Sequence, residues 1–296
     1  MAKPDHEKSD SQAVPAPDTP VEATGKAGRQ PRADWRESLR AWFEDEKAAW
    51  AFLTILPIPD APAPVWPRMV RVFPWVGALI GAISAAAMLI VRLMGFSEPL
   101  AALLAVLTGL VMTGAMHEDG LADFADSLGG CSREDRLRIM RDPGTGAFGV
   151  LALLFLAVAA PVFSLAAIIE ARGLAAAMLA LVSAHAVSRA GMVWQLASLP
   201  PAKEEGQGAG AGRPAESELR VALVTATVIA AVLLVPVWAP MPLLGAALAG
   251  LWSVAFIGWL ARRLVGGQTG DVLGATEVMV RALFLLMLSP HPLFLV

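Results

Sequence analysis

The chain has 296 residues, 56% of them hydrophobic, with a formal net charge of −3. No global positive field is present to attract nucleic acid, and a single cysteine, Cys131, excludes an intramolecular disulfide framework and a cysteine zinc cage. The apolar residues are gathered in long blocks, and about twenty of them in a helix cross the ~30 Å hydrocarbon core of a bilayer. The composition therefore points to an all-α, polytopic helical integral membrane protein.

Residues 1–45 are rich in Pro, Ala and charge without apolar periodicity, and read as a disordered cytoplasmic tail. Residues 46–296 read as a single membrane-embedded domain. The stretch WRESLRAWFEDEKAAWAF (35–52) has the pattern of an amphipathic helix lying at the interface with its Trp and Phe toward lipid. AFLTILPIP (51–59) is too short to span and ends in Pro57 and Pro59, so it reads as a re-entrant or interfacial element.

Apolar blocks then predict about seven crossings, at roughly 73–95, 99–116, 146–169, 174–197, 219–240, 241–262 and 275–292. KEEGQGAGAGRP (203–214) reads as a flexible loop. With this arrangement Arg68, Arg71, Arg133, Arg136, Arg138, Arg141, Lys203, Arg213, Arg220, Arg262 and Arg263 share one side, and Arg92 and Arg172 the other. The positive-inside rule places the first side in the cytoplasm.

On that side stands GAMHEDGLADFADSLGG (114–130), with Glu118, Asp119, Asp123 and Asp126 inside nine residues. At about 100° per helical residue, Asp123 falls about 40° to one side of Asp119 and Asp126 about 20° to the other. Glu118 lies at the edge of this stripe and His117 points away. Like charges on one stripe require a neutralising partner. Carboxylate oxygens suit hard cations, and Mg²⁺ characteristically binds through a few of them together with substrate phosphates. A solvated acidic loop is the plainer reading, but the regular stripe at the end of a membrane helix argues against it.

A second acidic patch, GGQTGDVLGATE (266–277), places Asp271 and Glu277 in a glycine-rich connector, expected to be non-helical, on the same face. Glycines such as Gly270 let backbone amides approach an anion, so the two patches suggest a two-sided, metal-bridged pocket. CSREDRLRIMRDPGTGAFG (131–149) carries Ser132 and Asp135 at capping spacing, then Arg133, Arg136, Arg138 and Arg141 on a short helix. Arginines beside such a site are natural phosphate clamps. Arg189, in SAHAVSRAGMVW (183–194), is a costly charge inside an apolar span and is expected to face the pocket. His185, one turn earlier, reads equally as a packing contact, and Arg281 as a snorkelling side chain.

MHEDGLADFADSLGG followed by SREDRLRIMRDPGTGAFG resembles the signature of the cobalamin synthase family, the adenosylcobinamide-GDP ribazoletransferases. GGQTGDVLGATE resembles the family's second signature, and FLTILPIP with FPWVGALIGA its opening. The resemblance runs from about residue 50 to the end. It implies a membrane enzyme late in cobalamin (vitamin B12) biosynthesis, joining adenosylcobinamide-GDP to α-ribazole or its 5′-phosphate and releasing GMP, with Mg²⁺ as cofactor. It carries metal binding onto Asp119, Asp123, Asp126, Asp271 and Glu277, with His117 and Glu118 matching the motif in less defined roles. The proton of the attacking hydroxyl would go to a carboxylate of the stripe or to His117. Further partners would be membrane lipid, a second copy of the chain, or other cobalamin-assembly enzymes, and the setting a bacterial inner membrane with the active site toward the cytoplasm. Two other readings are a CDP-alcohol phosphatidyltransferase, whose pattern wants an Arg after Ala122, and an ion-coupled transporter, whose site would sit at mid-membrane.

Overall fold

The structure, a computed structural model, describes residues 35–202 and 212–290. Most of the expected tail, and residues 203–211 of the expected flexible loop, lie outside the described residues.

The described residues are all-helical. In chain order the helices are α1 (Trp35–Leu53), α2 (Trp66–Met69), α3 (Phe73–Leu93), α4 (Glu98–Met112), α5 (Met116–Asp126), α6 (Arg133–Ile139), α7 (Ala147–Ala152), α8 (Ala160–Arg172), α9 (Leu174–Ser198), α10 (Glu216–Leu234), α11 (Pro240–Leu264) and α12 (Gly270–Leu288). A π-helical stretch, Leu153–Ala159, joins α7 to α8 without a break in the helix. The expected boundary at residue 46 falls inside α1.

Among the described residues, five helical segments are long and apolar enough to cross a membrane, or six if α4 and α5 count as one bent crossing. The seven expected are not all found, for two reasons. The fifteen-residue α4 meets α5 at 90°, and α12 places Asp271, Glu277 and Arg281 within nineteen residues. The bend sits at Gly114 and Ala115, both left-handed with φ of 60° and 55°. A left-handed alanine is unusual and held only by its surroundings. Here the Ile55 amide donates to the Met112 carbonyl at 2.8 Å, and the Ile55 side chain lies against Gly114. The short segment after α1 thus wedges beneath the corner.

The centre of the bundle is α9, the most buried of the spans, which packs on α3, α8, α10, α11 and α12. Its contact with α3 uses Gly77 and Gly81, one turn apart. A Cβ at Gly81 would stand 2.8 Å from the Val182 Cα, and one at Gly77 would strike the His185 carbonyl. Small residues at this spacing let two membrane helices touch through their backbones. At the N-terminal edge, buried Asp45 accepts from Arg68 at 2.9 Å and Arg71 at 2.8 Å, pinning α1 to α2 and the turn that leads into α3.

The turns at one end of the bundle are tight. There Arg92 pairs with Glu98 at 2.6 Å, and the Arg172 guanidinium lies 5.6 Å from the Trp238 ring centroid. The longer connections, and both acidic motifs, are at the opposite end.

Candidate active site

The two acidic motifs meet where α5 crosses the first turns of α12. A Cβ at Gly120 would stand 2.9 Å from the Asp271 Cα, and a Cβ at Gly274 2.8 Å from the His117 carbonyl oxygen and 3.3 Å from the Gly120 Cα. The two glycines face each other, so backbone meets backbone with no side chain between. Asp271 and Glu277 are helical, not in an irregular connector. Thr269 caps α12 by accepting from the Val272 amide at 3.2 Å, and its hydroxyl donates to Asp271 at 3.2 Å. The cap satisfies one of the helix's free first-turn amides, which helps a glycine-rich segment become helical so early. Gly270 is the first residue of that helix.

The acids divide into three groups. Asp119 is exposed, and Asp123 and Asp271 are half-buried, all beside the glycine contact. Asp126 accepts hydrogen bonds from the amides of Gly146 at 2.7 Å and Gly149 at 2.9 Å, and so caps the start of α7. Glu118 and Glu277 turn inward to arginines. Arg281 donates to Glu118 and lies 3.5 Å from the second oxygen of Glu277, while Arg189 pairs with the first. Ser188 donates to the same Glu277 oxygen at 2.8 Å, and Arg189 lies 2.8 Å from Nδ1 of His185. The side chains of Arg189 and Glu277 are 0% exposed.

These placements revise several expectations. In the structure Glu118 and Glu277 serve guanidinium groups and Asp126 serves backbone amides, because each has a closer cationic or N–H partner. Among the described residues, no group of three or more His, Cys, Asp or Glu side chains is arranged to hold a metal ion. Arg189 does not face a solvent-accessible pocket, since Glu277 holds it in the interior. His117 is buried too, with its backbone against Gly274 of α12.

Arg133 donates to the carbonyls of Val265 at 2.8 Å and Ala202 at 2.7 Å. It locks the loop after α9 to the loop before α12, which also pair through Ala202 and Gln268 at 2.9 Å and Gln268 and Pro200 at 2.8 Å. That is a fork bonding carbonyls, not a phosphate clamp. Arg136 packs its stem over Gly130. Arg138 binds Asp135 at 2.6 Å, a contact that holds the Asp135 carboxyl below its ordinary range, helped by the Cys131 amide. Ser132 caps α6 as its spacing suggests, accepting from the Asp135 amide at 3.1 Å. Arg141, just beyond α6, is exposed.

Arg281 is the residue that sequence reasoning undervalued. Its signal was present, a charge in an apolar span one helical turn after Glu277, where an i,i+4 pair forms.

Residues 46–289 match the family described as cobalamin-5-phosphate synthase. The chain belongs to this family. An adenosylcobinamide-GDP ribazoletransferase of Rhizobium etli is 40% identical over 245 residues, covering 81% of this chain and 94% of the relative. A protein of the same name from Azorhizobium caulinodans is 40% identical over 255 residues, covering 82% and 94%. One from Bradyrhizobium diazoefficiens is 39% identical over 246 residues, covering 81% and 91%. No solved structure matches the chain. The matched span begins inside α1 and ends one residue past α12, so the glycine contact, the acid face and the buried arginines all belong to the cobalamin-5-phosphate synthase portion.

Proposed function

We propose that the protein joins adenosylcobinamide-GDP to α-ribazole, or to its 5′-phosphate, with release of GMP, and that Asp119, Asp123 and Asp271 form the acid face on which the diphosphate is handled. The observation that carries this reading is the contact of Gly120 with the Asp271 backbone, which brings acids 152 residues apart in sequence onto one patch of surface.

The reaction exchanges the anhydride bond of a diphosphate for a phosphodiester. The ribose hydroxyl of the ribazole attacks the phosphorus attached to cobinamide, the bond from that phosphorus to the oxygen bridging to GMP breaks, and GMP leaves with the bridging oxygen. Negative charge grows on the departing oxygen, and the demand on the protein is positioning and charge neutralisation. Three carboxylates alone would repel a diphosphate, so the face requires a cation. The donor set is all hard oxygen, which fits Mg²⁺, an ion commonly held by one or two carboxylates plus waters and substrate phosphates rather than by a complete protein cage. When bound, Mg²⁺ would neutralise the diphosphate and the developing charge on its oxygens. Arg136 and Arg141 supply further positive charge at the same end. The proton of the attacking hydroxyl passes to Asp119 or Asp123, which reach solvent, and not to the enclosed His117.

The clustering of arginines at this end supports a cytoplasmic active site in a bacterial inner membrane. Helices at hydrocarbon depth would contact membrane lipid directly. The test is GMP release by the purified protein from adenosylcobinamide-GDP and α-ribazole, with and without Mg²⁺. Magnesium-dependent GMP release is expected. Its absence, or equal turnover in chelator, defeats the reading.

A further inference from the structure

We propose that Glu118 and Arg281 form a positioning pair that sets the rotation of α5 on α12, and with it the spacing of Asp119 and Asp123 from Asp271. The proposal rests on the reading that these three acids hold a diphosphate-bound cation.

The glycine contact explains how closely the two helices approach, but it does not fix their rotation. Gly120 and Gly274 present smooth backbone to each other, and a smooth contact permits one helix to roll on the other. A buried ion pair does not. Glu118 and Arg281 are both nearly enclosed, with side-chain exposures of 4% each, and they join residues 163 positions apart. At about 100° per residue, aiming Glu118 into the bundle turns Asp119 about 100° and Asp123 about 140° away from that direction. The two acids therefore emerge beside the contact only while Glu118 points inward.

The anchor on the other side is firm. Arg281 also faces Glu277, which is bonded to Ser188 and Arg189 of α9, and Arg189 reaches His185. His185 is in turn boxed by Gly77 of α3 and Gly109 of α4. A chain of charge-assisted bonds thus runs from α5 through α12 to the bundle's central helix. The remaining oxygen of Glu118 is buried and has no hydrogen-bond partner among the described residues, so Glu118 addresses the interior, not the acid face.

The experiment uses full-length protein in which Cys131→Ser removes the single cysteine. Nitroxide labels are placed at Leu128→Cys, just beyond α5, and Leu286→Cys on α12, both exposed. The distance distribution between the labels and the affinity for Mn²⁺, read by its own spin resonance, are measured for the parent, Glu118→Gln, Arg281→Gln and the double variant. Each single change breaks the buried pair, leaving Glu118 without its arginine or Arg281 with Glu277 at 3.5 Å. It is expected to broaden or shift the label distance and weaken Mn²⁺ by about 10–100-fold, the range typical for residues supporting metal ligands. The double variant leaves two amides able to bond each other, and should recover most of both. Unchanged distances in the single variants overturn the proposal. So does a double variant that binds Mn²⁺ as poorly as Glu118→Gln, which would make Glu118 a ligand. If the parent itself neither binds Mn²⁺ nor releases GMP, the metal reading fails, while the label distances still decide the pair. Should Glu118→Gln not yield monodisperse protein, Glu118→Asp keeps the charge on a shorter arm and takes its place.

Discussion

The Asp126 carboxylate accepts the backbone N–H of Gly146 at 2.7 Å and of Gly149 at 2.9 Å, closing the start of a helix that begins 21 residues later in sequence. The same contact excludes any side chain at either glycine, since a Cβ at Gly146 would stand 2.6 Å from the nearer Asp126 oxygen. Asp126→Ala is therefore expected to lose a helix cap, about 1 kcal/mol and up to about 2, seen as a lower melting temperature in detergent. The Mg²⁺ concentration for half-maximal GMP release should stay within about twofold, because a capping loss carries no ligand with it.

Gly120→Ala tests the contact between the motifs without touching an acid. The new methyl would meet the Asp271 Cα at 2.9 Å, and backbone cannot step aside as a side-chain tip can. Overpacking of this kind costs about 1–3 kcal/mol. Misplacing catalytic groups by about 1 Å can cost on the order of 10²-fold in rate. The expected outcome is a variant that still purifies as folded protein but releases GMP on the order of a hundredfold more slowly. Wild-type turnover would show that the approach of α5 to α12 is not needed.

Asp123→Asn removes a charge from the middle of the acid face while keeping the side chain's shape. Turnover should fall by about 10²–10³, the usual loss when one electrostatic contributor to a transition state is removed. Yield and melting temperature should change little, because the residue is only half-buried. GMP release at saturating Mg²⁺, set beside thermal unfolding, checks both parts.

Arg189→Ala separates the interior role from a phosphate-binding one. Removing Arg189 leaves Glu277 with Arg281 at 3.5 Å as its remaining ionic partner, and breaking a buried pair costs about 3–5 kcal/mol. The expected result is a marked loss of thermal stability with no change in the ratio of activities on α-ribazole and its 5′-phosphate. A selective loss on the phosphate would return Arg189 to the substrate site.

Arg141→Ala should act in the opposite way. The side chain is exposed beyond α6, so stability should hold. KM for the GDP-bearing substrate should rise, by roughly tenfold for the loss of one charge-assisted contact of 1.5 kcal/mol or more. Steady-state kinetics in low and moderate salt measures it, with the difference shrinking as salt screens the charge.

Much of this site was legible in the sequence because chemistry and periodicity mark it locally. The apolar blocks give the bundle, and the spacing of Asp119 and Asp123 gives a helical stripe. What the residues could not supply was the rotational phase of each helix against its partner. Glu118 and Asp119 are adjacent acids, and only the presence of Arg281 across α12 decides which of them is buried. Asp126 belongs to the same stripe on paper, yet its partners are amides some twenty residues away. The corner at Gly114–Ala115 was missed because alanine carries no turn signal; the wedge of Ile55 beneath it imposes the conformation. The glycines of the second motif read as a place where backbone amides approach an anion, and at Gly274 the backbone of a neighbouring helix occupies that space instead.

The π-helical stretch Leu153–Ala159 has a consequence of its own. A wide turn holds about one residue more than an α-turn, so α7 and α8 are wound out of step by about 100° relative to a continuous α-helix. That offset lets Gly149 look toward Asp126 while Leu165 and Ile168 look into the apolar core. Deleting a single residue there would regularise the coil and force one half to turn away. The spare residue keeps the two halves of one long rod answering to different neighbours.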